Sequence, residues 1–114
     1  MNIVMIEGRL SSGPRCRELP SGSALHAFEV STSDGDVTRS VPVVWLDPVR
    51  LPQLGEGDRV VVIGAVRRRF FRAGGAVASR TEVEAEVVAR LGSARSRRAA
   101  AAALASAEAA LSDL

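Results

Sequence analysis

Five strand-like segments, each bounded by a turn signal, constrain the fold of this chain most strongly. They are residues 2–10, 24–33, 37–46, 59–72 and 76–91, and the turns between them carry Gly, Pro, Asp and Ser. Several short strands separated by such turns indicate an all-β sandwich or barrel. Residues 15–19 could continue the first strand after the Ser-Ser-Gly-Pro break at residues 11–14.

Special residues inside and between these strands favour a small barrel. Gly64 interrupts the apolar run of the fourth strand, which fits a sharp bend. Pro42 predicts an edge, a bulge or an amide that faces away from the ladder in the third strand. Residues 47–54 could form one or two helical turns, with Asp47 as the N-cap and Pro48 at the first helical position. Five strands with a short helical insert between the third and the fourth match the OB layout.

The composition changes beyond Gly92 to an alanine-rich stretch, which predicts a helix over residues 93–114. One apolar stripe, at spacings of three and four residues, comprises Leu104, Ala107, Leu111 and Leu114. The stripe could pack on the chain's own barrel, pair with a second copy or stay partly frayed. We therefore expect an OB-fold domain over residues 1–92 and a docking or oligomerisation helix over residues 93–114.

The residue types present argue against several kinds of chemistry. Cys16 is the only cysteine and His26 the only histidine, so zinc or haem ligation and histidine-based catalytic triads lack their residues. We expect a protein that is not an enzyme and that needs no cofactor and no metal. No apolar run reaches the length of a membrane helix, and the chain begins directly with a strand pattern. We therefore expect a cytoplasmic protein without a signal peptide.

Arginines are clustered in one strand. All 15 basic residues are arginine and the formal net charge is only +2, so a nucleic-acid surface must come from local clustering. The densest cluster is Arg-Arg-Arg-Phe-Phe-Arg at residues 67–72. Adjacent strand residues point to opposite faces, so we expect one of Phe70 and Phe71 to be buried and the other exposed. An exposed phenylalanine flanked by arginines suits stacking on unpaired bases. The alternative is a solvated strand face with one core phenylalanine.

Other conspicuous residues have structural interpretations. Trp45 lies on the apolar face of the third strand, so we expect it in the core. His26 lies on the apolar face of the second strand, and we expect a hydrogen-bonded or interfacial histidine rather than a ligand. Glu82, Glu84 and Glu86 share one face of the last strand and predict a solvated or arginine-paired edge.

Several segments resemble the bacterial single-stranded DNA-binding proteins, in the family's order along residues 1–92. The matching segments are Asn2-Ile3-Val4 with Gly8-Arg9-Leu10, then Leu19-Pro20-Ser21-Gly22, Glu56-Gly57-Asp58 to Arg67, and Thr81 to Gly92. The resemblance implies an OB barrel, assembled as a homo-oligomer (dimer or tetramer). It also implies binding of single strands without sequence preference in DNA replication and repair, through a basic groove with aromatic stacking positions.

The resemblance assigns the family's fourth-strand aromatic to Phe71 and its basic neighbours to Arg67 and Arg69. With the arginines expected to line the groove, the candidate nucleic-acid-binding residues are Phe71, Arg67, Arg69, Arg72, Arg9, Arg39 and Arg80. The family's DNA-contacting residues on the third strand are replaced here by Ser40, Pro42 and Leu46. The family's acidic C-terminal tip is also missing.

Two functions follow from this mixed pattern. The first is weak, salt-sensitive binding of single-stranded DNA or RNA by a divergent or paralogous family member. The alternative is an OB-fold scaffold that has lost DNA binding and engages a protein partner through residues 93–114.

Overall fold

A computed structural model describes residues 1–48 and 53–114. Its elements are β1 (Val4–Leu10), β2 (Arg15–Glu18), β3 (Ala24–Asp34), β4 (Val37–Leu46), β5 (Arg59–Ala73), β6 (Ala76–Arg90) and α1 (Ala94–Ser112). The predicted helical turns over residues 47–54 fall largely on residues 49–52, which lie outside the described residues.

Five of these strands close into a barrel. The strand order is β1-β5-β6-β4-β3-β2, and an additional pairing of β1 with β3 closes the ring. The pairing of β4 with β6 is parallel and the others are antiparallel. The extra strand β2 continues the line of β1 along β3 after the break at residues 11–14, as the sequence predicted. The structure confirms a five-stranded OB-fold barrel with a C-terminal helix.

The core of the barrel consists of alternate residues from its strands, because successive side chains of a strand point to opposite faces. The largest fully buried side chains are Leu10, Val30, Val43, Val60 and Val62. Trp45 belongs to the same cluster and is 7% exposed, as expected from its parity. His26, which pairs with Trp45 across the β3–β4 ladder, is also buried.

A bulge between Ile63 and Gly64 ends the barrel part of β5. A Cβ atom on Gly64 would lie 2.0 Å from the carbonyl oxygen of Glu84, so only glycine lets β6 approach so closely. The pairing of β1 with β5 also stops at Gly64. The predicted irregularity in this strand is therefore the point at which β5 leaves the barrel wall.

Beyond the bulge, β5 and β6 continue as a two-stranded arm, which we define as residues 67–82. Its ladder partners in the described part of the chain are only each other, since the β4 pairing of β6 begins at Val83. Gly74 and Gly75 at its tip have φ values of +57° and +82°. Two consecutive positive φ values are those of a type I′ hairpin turn.

The helix α1 begins after Ser93, whose Oγ accepts a hydrogen bond from the Ser96 amide at 3.1 Å. It packs on the barrel chiefly through Ala100, which joins Val61, Ile63 and Ala89 in a second apolar cluster. The leucines of the predicted stripe, Leu104, Leu111 and Leu114, are 38%, 59% and 83% exposed. The helix therefore packs on the chain's own barrel through alanines, and the leucines of the stripe stay exposed. Pairing of the stripe with a second copy stays a prediction. No helix among the described residues has the length and hydropathy of a membrane span.

Candidate nucleic-acid interface

A groove of about 730 Å³ lies on the outside of the barrel, across β2, β3, β4 and the base of the arm. Apolar outward-facing residues contribute to its floor, among them Ala27, Pro42 and Val44. Its charged lining consists of Arg15, Arg17, Arg69, Arg80, Glu29 and Glu82. Four arginines against two glutamates give the groove an excess of positive charge.

Arg15 and Arg17 are groove residues that the sequence analysis missed. They occupy alternate positions of β2 and pair with Ala27 and Leu25 of β3, so both project to the groove side. None of the ion pairs found among the described residues includes either of them. The Arg-x-Arg spacing was a usable signal, but it becomes informative only once residues 15–18 are known to be a strand.

Phe71 and its neighbours lie on the face of the arm that adjoins the groove. The guanidinium carbon of Arg69 lies 5.0 Å from the centre of the Phe71 ring, within the range of a cation–π contact. Arg69 Nε donates to Glu82 Oε1 at 2.9 Å. Arg80 pairs with Arg69 across the ladder, and its Nη2 lies 3.5 Å from Glu29 Oε1.

Arg67 lies on the same face of the arm as Arg69. Its Nη1 donates to Glu84 Oε2 at 2.7 Å, and its Nε lies 3.8 Å from Glu82 Oε1. The structure thus brings four of the candidate residues together on one face: Phe71, Arg67, Arg69 and Arg80. Each of the three arginines among them already has a carboxylate partner.

The other three candidates lie elsewhere. Arg72 is on the opposite face of the arm, paired with Val77. Arg39 lies toward the far end of the β3–β4 hairpin, opposite Thr32. Arg9 donates through Nη1 to the carbonyl of Gly57 at 3.0 Å. None of the three lines the groove.

The expectation that one of the two adjacent phenylalanines is buried is wrong. Phe70 is 66% exposed and Phe71 is 36% exposed. Their side chains do point to opposite faces, as alternation requires. The arm, however, extends past the barrel, so neither of its faces covers the core at this position.

Glu82 is the least expected feature of the interface, because it is only 3% exposed. The predicted pairing of the last strand's glutamates with arginine is confirmed by the contacts of Glu82 and Glu84. A buried carboxylate needs charged or hydrogen-bonding partners, and Arg69 and Arg67 supply them here. Glu82 therefore fixes the guanidinium of Arg69 beside the Phe71 ring.

In the described ranges, no group of three or more His, Cys, Asp and Glu residues could hold an ion. Cys16 is an exposed free thiol on β2.

No protein-family model matches the sequence, and no curated protein matches it either. The strand order alone therefore establishes the OB architecture. Membership of the single-stranded DNA-binding family stays a prediction from the sequence segments that resemble it.

Proposed function

We propose that this protein binds single-stranded nucleic acid, without catalysing a reaction, along the groove and onto the Phe71 ring. One observation supports this proposal most: four arginines line a groove on an OB barrel, beside an exposed aromatic side chain. Single-strand binders combine a positively charged groove with aromatic stacking positions. The apolar floor between the arginines would contact bases rather than phosphates.

The ion pairs of the groove set the expected strength of binding. A phosphate that approaches Arg69 or Arg80 has to compete with Glu82 or Glu29. No carboxylate in the described residues forms an ion pair with Arg15 or Arg17, so a phosphate can bind their guanidinium groups without this competition. We therefore expect weak binding, in which Arg15 and Arg17 contribute more than Arg69 and Arg80.

Salt dependence measures how many arginines take part. For single strands, the logarithm of the binding constant falls by about 0.7 per phosphate contact for each tenfold rise in salt. Between about 50 and 200 mM salt, affinity should fall about sevenfold if only Arg15 and Arg17 engage phosphates, and about fiftyfold if all four do.

The test is a fluorescence-polarisation titration with labelled oligo-dT and oligo-rU over this salt range. Replacing Arg15 and Arg17 by Gln should weaken binding and flatten the salt slope by about two phosphate contacts. Replacing Arg97 and Arg98 by Gln, at two exposed positions of α1, removes the same charge, and this matched control should change neither quantity. Absence of binding at low salt, or binding that salt does not weaken, would refute the proposed function.

A second candidate is a protein-interaction module that uses α1, and the exposed leucines of that helix favour it. Deleting residues 93–114 would be a poor test, because it would also uncover Val61, Ile63 and Ala89 under Ala100. Replacing Leu104 and Leu111 by Gln leaves that contact in place. Under this candidate, the double variant loses oligomerisation or partner binding, measured by light scattering or pull-down, while oligonucleotide binding is unchanged.

A further inference from the structure

The arm has a second face, on the side away from the groove. Strand alternation places there the side chains of Arg68, Phe70, Arg72, Val77, Ser79 and Thr81, which we call the back face. The groove face of the arm, by contrast, holds Arg67, Arg69, Phe71, Arg80 and Glu82. The two faces are separated only by the thickness of one sheet.

The back face repeats the arginine–phenylalanine arrangement of the groove face. The guanidinium carbon of Arg68 lies 5.6 Å from the centre of the Phe70 ring. Arg68 Nε and Nη2 also donate to Ser79 Oγ at 3.3 and 3.1 Å, which anchors the guanidinium. Phe70 is 66% exposed, far more than Phe71 at 36%. The back face therefore presents the more accessible ring.

The charge balance of the two faces differs. Every arginine on the groove face of the arm has a glutamate partner. The back face contains no Asp or Glu, and none of the ion pairs in the described ranges involves Arg68 or Arg72. A phosphate would displace only the neutral Ser79 hydroxyl from Arg68, and it would displace no carboxylate from Arg72.

From this contrast we infer that the back face is a second contact surface for the same single strand. A base stacks on Phe70 while Arg68 and Arg72 hold the adjoining phosphates. A strand that occupies the groove continues around the arm and onto the back face. This inference rests on the proposed function. It adds that the bound nucleic acid contacts both faces of the arm instead of the groove face alone.

Oligonucleotide length separates the two surfaces. A short oligonucleotide of about 6 nucleotides fills one surface, whereas one of about 30 reaches both, since OB domains engage roughly 4–16 nucleotides each.

Phe70→Ala should weaken binding of the long oligo-dT about fivefold or more, the effect of losing one stacked base. Phe71→Ala, one residue away, should weaken binding of both lengths. Val77→Ala removes a back-face apolar side chain of equal exposure without removing a ring, and it should change affinity by less than about twofold.

The outcomes distinguish this inference from the proposed function. If the wild-type protein binds the long oligonucleotide and Phe70→Ala binds it equally well, the back face is not a contact surface, although the groove remains one. If the wild-type protein binds neither length, the proposed function itself fails. If Phe70→Ala instead changes the molar mass in light scattering, the face is an interface between copies, which overturns the inference.

A spectroscopic variant reports on stacking directly. Phe70→Trp places an exposed indole on the back face, while the only natural tryptophan, Trp45, is buried in the barrel. Stacking of a base should quench the fluorescence of the new indole as long oligo-dT is added. Unchanged fluorescence at saturation would count against stacking at this position.

Discussion

The barrel and the arm share two strands, yet different interactions stabilise them. In the barrel part of β5, Val60 and Val62 are completely buried and pack in the main apolar cluster. In the arm part of the same strand, the side chains interact through arginine–glutamate, arginine–serine and arginine–phenylalanine contacts. Because burial of apolar area supplies most of the stabilisation of a fold, the barrel should carry the stability of the domain. The arm should contribute less to it.

The largest effect on stability is expected from a substitution that creates a cavity in the barrel core. Leu10 is 2% exposed and packs in the main cluster, so Leu10→Ala should lower the free energy of unfolding by about 2–5 kcal/mol. Urea titration followed by circular dichroism measures the change. Leu111→Ala, which truncates a leucine that is 59% exposed, is the control and should change it by less than about 0.5 kcal/mol. Comparable losses in the two variants would mean that the barrel is not the main source of stability.

A medium-sized effect is expected at the base of the arm. Glu82→Gln removes the negative charge that holds Arg69 and Arg67. A hydrogen bond between charged groups contributes about 1.5–3 kcal/mol to stability. Solvent reduces this contribution here, because the two arginines are partly exposed. We expect the opening free energy of the arm to fall by about 1 kcal/mol.

Amide hydrogen exchange resolves where the Glu82→Gln effect occurs. Amides of residues 67–81 should exchange faster, while those of the barrel core should keep their protection. Glu84→Gln is the matched control, because Glu84 is exposed and, among the described residues, forms an ion pair with Arg67 alone, so it should have the smaller effect. Equal acceleration in barrel and arm would show that the two are one cooperative unit.

The smallest effect concerns a surface contact of the barrel. Asp47 Oδ1 accepts a hydrogen bond from the Ala24 amide at 2.7 Å, and this bond, with a smaller contribution from Ser23, lowers the pKa of Asp47 below its ordinary value of 3.8. A pKa that is lower in the folded state contributes stability above about pH 4 and loses it as the pH falls through the folded-state pKa.

Asp47→Asn tests this contribution and preserves the backbone, since Asn also tolerates the positive φ of +38°. The variant should be slightly less stable than the wild type at neutral pH, and the two should converge as the pH falls through the folded-state pKa of Asp47, which lies below 3.8. Urea midpoints measured from neutral to low pH follow this convergence. A difference that persists unchanged at low pH would show that the charge of Asp47 is not responsible.

The sequence predicted the elements well because their signals are local. Alternation identified the five barrel strands, and Gly64 marked the bend in the fourth of them. The parity of Trp45 with Val41 and Val43 placed it in the core. The alanine-rich stretch predicted α1 with nearly correct bounds. All of these depend on neighbouring residues, which a single sequence displays.

The interface was harder to predict because it depends on where strands end relative to one another. Nothing local to Phe70 shows that β5 continues past the barrel wall, so a buried ring was the natural expectation. The burial of Glu82 and the outward position of Arg15 both require the pairing of strands distant in the chain. The helix presented a similar difficulty, because leucines suggested a contact that Ala100 makes instead.

The burial of Trp45 has a practical consequence for studying this chain. The sequence contains no tyrosine and one tryptophan, so emission excited in the indole band comes from a single ring inside the barrel. Changes in that emission report on the integrity of the barrel, because Trp45 packs in its main apolar cluster. Unfolding can therefore be followed through the intrinsic fluorescence of the unlabelled protein.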